Sequence, residues 1–204
     1  VDEDDVELLR TPAGPVDGPV HRDRGSRFVA HVAPARSEQG ALDVVEAVRA
    51  THRDATHVVW ALRLAHGPER SSDDGEPAGT SGPPVLRRLA AAELVDVVCT
   101  VTRWYGGTNL GRGGLVRAYG AAASAALELL EVHERPPLDV LLVDHPYELT
   151  AAVEATLATH GAQVLHAAHG ARVQLRVAVP SDVAGSFTAA LRDATAGRVL
   201  ADPA

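Results

Sequence analysis

Apolar positions along this chain recur in two rhythms, one helical and one extended, and they divide it into a series of short elements. VELLR at 6–10 and the stretch 20–33, in which FVAHVA alternates loosely, read as strands. QGALDVVEAVRATHR sets Leu42, Val45, Val48 and Arg49 at helical spacing. HVVWALRL is an apolar strand, PPVLRRLAAAEL a short helix opened by proline, and VDVVCTV a buried strand. A glycine-rich loop follows and runs into the helix LVRAYGAAASAALELLE. Strands first, then helix, strand and helix, predict an α+β layer fold with its helices on one face. HERPPLDV closes this part, because Pro136 and Pro137 cannot continue a helix.

Beyond the proline pair the pattern is shorter and cleaner. LDVLLVD predicts a strand, PYELTAAVEATLATHG a helix stopped by Gly161, and AQVLHAAHG a second strand. ARVQLRVAVP alternates Val173, Leu175, Val177 and Val179 against Gln174 and Arg176, with His169 and Gly170 at the preceding turn. Ser181 is placed to cap SDVAGSFTAALRDATAG, and RVL at 198–200 reads as a final strand. The order is β-α-β-β-α-β, the ferredoxin-like plan. Two domains are predicted, residues 1–135 and 136–204, hinged near Pro136.

Candidate chemistry concentrates between residues 71 and 120. Gly106, Gly107, Gly111, Gly113 and Gly114 lie within nine positions, after a strand and at the start of a helix. A helix N-terminus presents unpaired N–H groups and the positive end of the macrodipole, and glycine allows an anion close to the main chain. Arg103, Arg112 and Arg117 flank the loop and would add charge-assisted contacts. The plain alternative is a tight strand-to-helix turn. A phosphate-binding Walker loop is excluded because the chain has no lysine, and no dinucleotide fingerprint occurs in a βαβ setting. Asp73, Asp74 and Glu76 form a carboxylate cluster that reads either as a magnesium site shared with a phosphate or as a solvated turn. Thr80 and Ser81 offer hydroxyls before the Pro83 helix, and Ser81 is expected to cap it. His57 reads as a structural hydrogen-bonding group, and His166 and His169 are predicted to point to opposite faces. No Cys–His zinc spacing and no nucleophile elbow occur, so neither a zinc site nor nucleophilic catalysis is expected, and no resident metal or cofactor is assigned.

Charge narrows the choice of partner. The net charge is −8, with 15 arginines against 20 acidic residues before Pro136 and 4 against 7 after it. Neither half offers the broad basic surface of a general nucleic-acid binder, so any RNA contact is expected to be local, at the arginines near the loop. Lysine, isoleucine and methionine are absent, a pattern of GC-rich coding rather than of RNA adaptation. The single cysteine, Cys99, sits inside VDVVCTV and is expected to be a buried thiol. The acidic opening VDEDDVE is unlike a signal sequence, and no apolar run approaches the roughly 20 residues that span a bilayer, so a cytoplasmic protein without membrane contact is expected.

Four blocks carry a resemblance: GSRFVAHVAP, DATHVVWALRL, DDGEPAGTSGPP and VTRWYGGTNLGRGGLVRAYG. Together they resemble the IMPACT family, in particular its bacterial members. Where that family often has a lysine in the loop, this chain has Asn109. The resemblance implies a first domain with the ribosomal-protein-S5-domain-2-like fold and a smaller ferredoxin-like second domain. It also implies work in or beside translation. The restraint of a starvation kinase by eukaryotic members depends on a further N-terminal domain and is not carried over.

The site expected from residues and resemblance together comprises Arg103, Trp104, Tyr105, Gly106, Gly107, Asn109 and Gly111. It continues through Arg112, Gly113, Gly114 and Arg117, and takes in Asp73, Asp74, Glu76 and Thr80 from the acidic turn. The expected function is a translation-associated regulator or accessory factor that contacts the ribosome, RNA, a translation factor or a phosphate-bearing ligand at the loop. The alternative is an enzyme acting on a phosphorylated small molecule or nucleotide. It would use Arg103 or Arg117 as a clamp, and Asp73 and Asp74 as metal ligands or base. Oligomeric state is left open.

Overall fold

The computed structural model describes residues 8–204. Of the strand expected at 6–10, Val6 and Glu7 lie outside the described residues. Two compact units emerge, each with its own core: Leu9–Arg135, and Pro136–Ala204 together with Leu8, which the expected boundaries had placed in the first domain.

The first unit is built on an antiparallel sheet. Its strands are β2 (Val16–Asp17), β3 (His21–Asp23), β4 (Ser26–Pro34), β5 (His57–Arg63), β6 (Glu69–Ser72) and β7 (Val97–Trp104), in the order β2-β4-β7-β5-β6, with β3 also paired to β4. A separate ribbon pairs β1 (Leu9–Pro12) with β8 (Val132–Arg135), and Asp96 ion-pairs with Arg135 at its end. Helix α1 (Glu38–Thr51) is capped by Ser37, whose hydroxyl accepts the Gly40 N–H at 3.1 Å. Helix α2 (Gly82–Ala91) opens on Pro83 and Pro84, whose missing N–H groups cost nothing there.

The helices do not share one face, as the sequence order suggested. Phe28, Ala30 and Val32 of β4, Val59 and Ala61 of β5, and Cys99 and Val101 of β7 pack with α2 and with α3 (Gly111–Leu127). Trp60, Leu62 and Val98, on the alternate positions, pack instead against Ala41 and Val45 of α1. The central strands β5 and β7 are therefore buried on both sides. Cys99 is fully buried, and burial pushes its thiol up to about 12.

The second unit contains β9 (Leu138–His145), α4 (Thr150–Thr159), β10 (Gln163–His169), β11 (Val173–Pro180), α5 (Ala184–Ala194) and β12 (Ala201–Pro203). All pairings are antiparallel in the order β10-β11-β9-β12, which is the ferredoxin-like arrangement. Gly161 takes φ +63° after α4, and the N–H groups of Gly161 and Ala162 bond to Ala158 and Leu157, a Schellman stop. Val173, Leu175, Val177 and Val179 face Phe187, Leu191, Val153 and Leu157, while Gln174 and Arg176 face outward. Two local expectations change. Ser181 caps no helix; its hydroxyl donates to Asp139 at 2.7 Å, and α5 starts only at Ala184. The last strand falls at Ala201–Pro203 rather than at 198–200, because Val199 turns into the core.

Candidate functional site

Strand β7 delivers Arg103 into the interior of the first unit. The residue is 5% exposed, and its guanidinium lies between the Phe28 ring at 5.5 Å and the Tyr105 ring at 5.3 Å. Its Nη1 donates to Oε1 of Glu76 at 2.5 Å and its Nη2 to the Ser26 hydroxyl at 3.3 Å. The Tyr119 hydroxyl, from the interior of α3, donates to the same Glu76 oxygen at 2.7 Å. Burial first, and then the hydrogen bond and charge of Glu76, push this phenol far above its ordinary value, so it remains a donor at any working pH. Tyr119 also meets Phe28 edge-to-face, with centroids 5.1 Å apart. A buried carboxylate thus ties the acidic turn to β7 and α3 at once. Of the three carboxylates in the acidic turn, Glu76 is the one that partners Arg103.

The other two acidic residues are engaged elsewhere. Asp73 accepts from the N–H groups of Gly79, Ser81 and Gly82 at 2.7, 2.9 and 2.9 Å, and from the Ser81 hydroxyl at 2.7 Å. It caps α2 from a distance, the task expected of Ser81, whose own hydroxyl serves Asp73. Burial raises its pKa, but the donors from Gly79, Ser81 and Gly82 outweigh that and hold it below the ordinary value. Asp74 binds Arg49 at 2.6 Å and the Val58 N–H at 2.6 Å. Thr80 is buried and donates to the Pro77 carbonyl at 2.5 Å. The three carboxylates therefore point at three different partners, and no group of three or more metal-binding side chains exists among the described residues.

His57 is placed by the same turn. Its Nδ1 lies 2.7 Å from the Asp74 carbonyl oxygen, which can only accept, so a neutral ring carries its proton on Nδ1. Its Nε2 stands 3.9 Å from Glu76.

The glycine loop has two kinds of glycine. Gly106 is a packing residue: a Cβ there would lie 1.9 Å from the carbonyl carbon of Gly25, and its N–H donates to Ser26 at 3.2 Å. Gly107 and Gly111 instead hold φ of +83° and +73° in open space. Tyr105 donates to the Asn109 side-chain oxygen at 3.2 Å, and Arg112 donates to the Ala78 carbonyl at 2.9 Å, which pins the loop to the acidic turn. Helix α3 starts at Gly111 with no side-chain cap and no acidic residue in its first turn. Its N-terminal field is therefore not neutralised by its own side chains. Arg117 is exposed one turn on, its guanidinium resting over Gly113.

These parts enclose a cleft of about 550 Å³, lined by Thr56, His57, Glu76, Arg103, Tyr105, Asn109, Gly111 and Arg112, with Leu110 and Leu115 as its apolar wall. Of the expected residues, Glu76, Arg103, Tyr105, Asn109, Gly111 and Arg112 come together here. Trp104 does not. Its indole donates to Asp54 at 3.0 Å, stacks under Arg27 and meets His52 edge-on, on the opposite side of β7. Asp73, Asp74 and Thr80 lie outside the cleft, and Gly114 packs against Leu110. Ser26, Thr56, His57 and Tyr119 were not expected at the site. His57 was read from the sequence only as a hydrogen-bonding group, and Tyr119 left a trace as the one aromatic in an alanine-rich helix.

Comparison with known proteins matches residues 24–127 to the Impact N-terminal domain and residues 143–198 to a domain of unknown function, DUF1949. The chain is 37% identical over 199 residues to the IMPACT family member YigZ of Escherichia coli, covering 94% of this chain and 96% of that one. It is 42% identical over 181 residues to an IMPACT family member of Thermus thermophilus, covering 85% and 96%. The yeast Protein IMPACT homolog matches at 31% over 118 residues, covering 52% of this chain and 45% of its own length. A crystal structure described as that of a hypothetical protein superposes with a TM-score of 0.78 at 34% identity, over 97% of both chains.

Proposed function

The chain belongs to the IMPACT family, and from that premise we propose that it is a cytoplasmic, translation-associated binding protein whose first domain holds a phosphate-bearing group at the N-terminus of α3. The observation that carries this reading is the uncapped, acid-free first turn of α3 opening onto the cleft beside Arg112. Two features support it. Arg103 Nε is buried without a hydrogen-bond partner among the described residues, so the cleft wall retains donor capacity. The Arg103–Glu76 pair neutralises itself, so that of the three arginines that flank the loop in sequence Arg112 and Arg117 remain available to an anion. Among the described residues no helix is long and apolar enough to cross a membrane.

RNA offers a direct test through its salt dependence. With Arg103 committed to Glu76, two arginines remain, and the log–log salt slope on single strands should be about −1.4, from roughly −0.7 per contact. Arg112→Ala with Arg117→Ala should flatten it. Binding whose slope ignores both substitutions would place the surface elsewhere. The alternative, an enzyme on a phosphorylated small molecule, loses its metal ligands and base, because Asp73 and Asp74 are saturated by backbone and arginine donors.

A further inference from the structure

The second unit leaves one face of its sheet without a helix, and that face has an ordered composition. Strand register sets four outward side chains in a single row across all four strands: His166 on β10, Arg176 on β11, Leu142 on β9 and Asp202 on β12. A shallow groove of about 630 Å³ runs along it and takes in Leu200. Leu142 is 48% and Leu200 57% exposed. Nearby charges are already matched: Asp144 with Arg172, and Arg198 with Glu148. Arg176 and Asp202 have no ion-pair partner among the described residues. They flank Leu142, one strand to either side, with their backbones roughly 9.5 Å apart, and no ion pair joins them.

We propose that this face is the contact surface of a symmetric homodimer, sheet against sheet. A two-fold axis parallel to the strands and above Leu142 brings Leu142 against its own copy. The same rotation exchanges left and right, which sets each Arg176 opposite the partner's Asp202. One leucine contact and two reciprocal ion pairs follow from a single symmetry operation, as an isologous interface requires. Aligned packing of two sheets about 10 Å apart accommodates it. With eight residues on β9 and β11, seven on β10 and three on β12, the face covers roughly 400 Å², so the dimer buries about 800 Å² in total, below the size of a standard specific interface. Association should therefore be weak and concentration-dependent. Nucleic acid suits this face poorly, since it offers no Phe, Tyr or Trp for bases to stack on and sets Asp144 and Asp202 among its few cations.

Sedimentation velocity of the full chain over a concentration series tests the proposal. The wild type should shift from monomer towards dimer as concentration rises. Arg176→Asp and Asp202→Arg, each placing like charges opposite one another, should each weaken association by about tenfold or more. The double swap Arg176→Asp with Asp202→Arg should restore it. Leu142→Asp should abolish it, with circular dichroism confirming that each variant is folded. A wild type that stays monomeric up to its solubility limit overturns the proposal. So does a double swap no stronger than the single variants, or a folded Arg176→Asp that associates like wild type.

Discussion

Glu76 accepts from both Arg103 and Tyr119 in a place where water hardly reaches, so removing it strands a buried guanidinium. Glu76→Ala should destabilise the first domain by about 3–5 kcal/mol, the usual result of breaking a buried pair. Tyr119→Phe, which leaves the pair intact, should cost about 1–2 kcal/mol. Trp60 and Trp104 both lie in the first domain, so tryptophan fluorescence during urea unfolding separates these effects from the second domain. Equal losses from both variants would mean that the pair contributes no more than the tyrosine bond. Asp73 gives a prediction with a sign in pH. Its pKa is depressed in the fold below an ordinary value of 3.8, so the fold binds that proton less readily than the unfolded chain. The stabilisation is complete above that ordinary value and is lost as pH falls through the folded one. The gap in unfolding free energy between wild type and Asp73→Asn should therefore narrow only below about pH 4. A gap that is constant down to acid unfolding would show that the cap acts without its charge. That Arg112 and Asn109 line the cleft was legible because the loop itself carries them. The partner of Arg103 was not, since Glu76 is 27 residues away and shares its turn with two other carboxylates, Asp73 and Asp74.

Elements show the same division between local and distant causes. Strand β11 alternates because one side faces helices and the other does not, and the sequence carries that alternation plainly. HVVWAL and VVCTV are continuous apolar runs, the mark of strands covered on both sides, and α1 on the far face is what they announce. Strand β6, Glu69–Ser72, and strand β8, Val132–Arg135, were invisible. Both are polar and lack an apolar rhythm of their own: β6 extends only by folding back on β5 as a hairpin, and β8 only by pairing with β1, remote in sequence. The glycine loop repays attention at this scale because its glycines do different work. Gly106→Ala would drive a methyl into Gly25 and should lower the melting temperature of the first domain sharply. Gly113→Ala meets only the flexible end of Arg117, 3.4 Å away, inside a helix where alanine is favoured. It should stabilise by about 0.5–1 kcal/mol. Reversal of that order in thermal melts would mean that Gly106 yields more readily than its backbone contact implies.

At the scale of the molecule, two separate cores predict two separate foldings. Limited proteolysis should cut first around residues 134–138 and release two folded fragments, and a single cooperative loss of both halves would contradict it. The break was legible because Pro136 and Pro137 interrupt the chain just where its rhythm changes. The face left bare in the second domain was not, since a missing helix writes nothing into the sequence. Cys99 has a consequence of another kind. A lone thiol sealed in the central strand, its proton held to about pH 12 by burial, is inert for as long as the sheet stays shut. Alkylation of this protein is therefore a clock with one hand. In dilute thiol reagent it ticks only when the first domain opens, and it keeps that domain's time whatever the second one does.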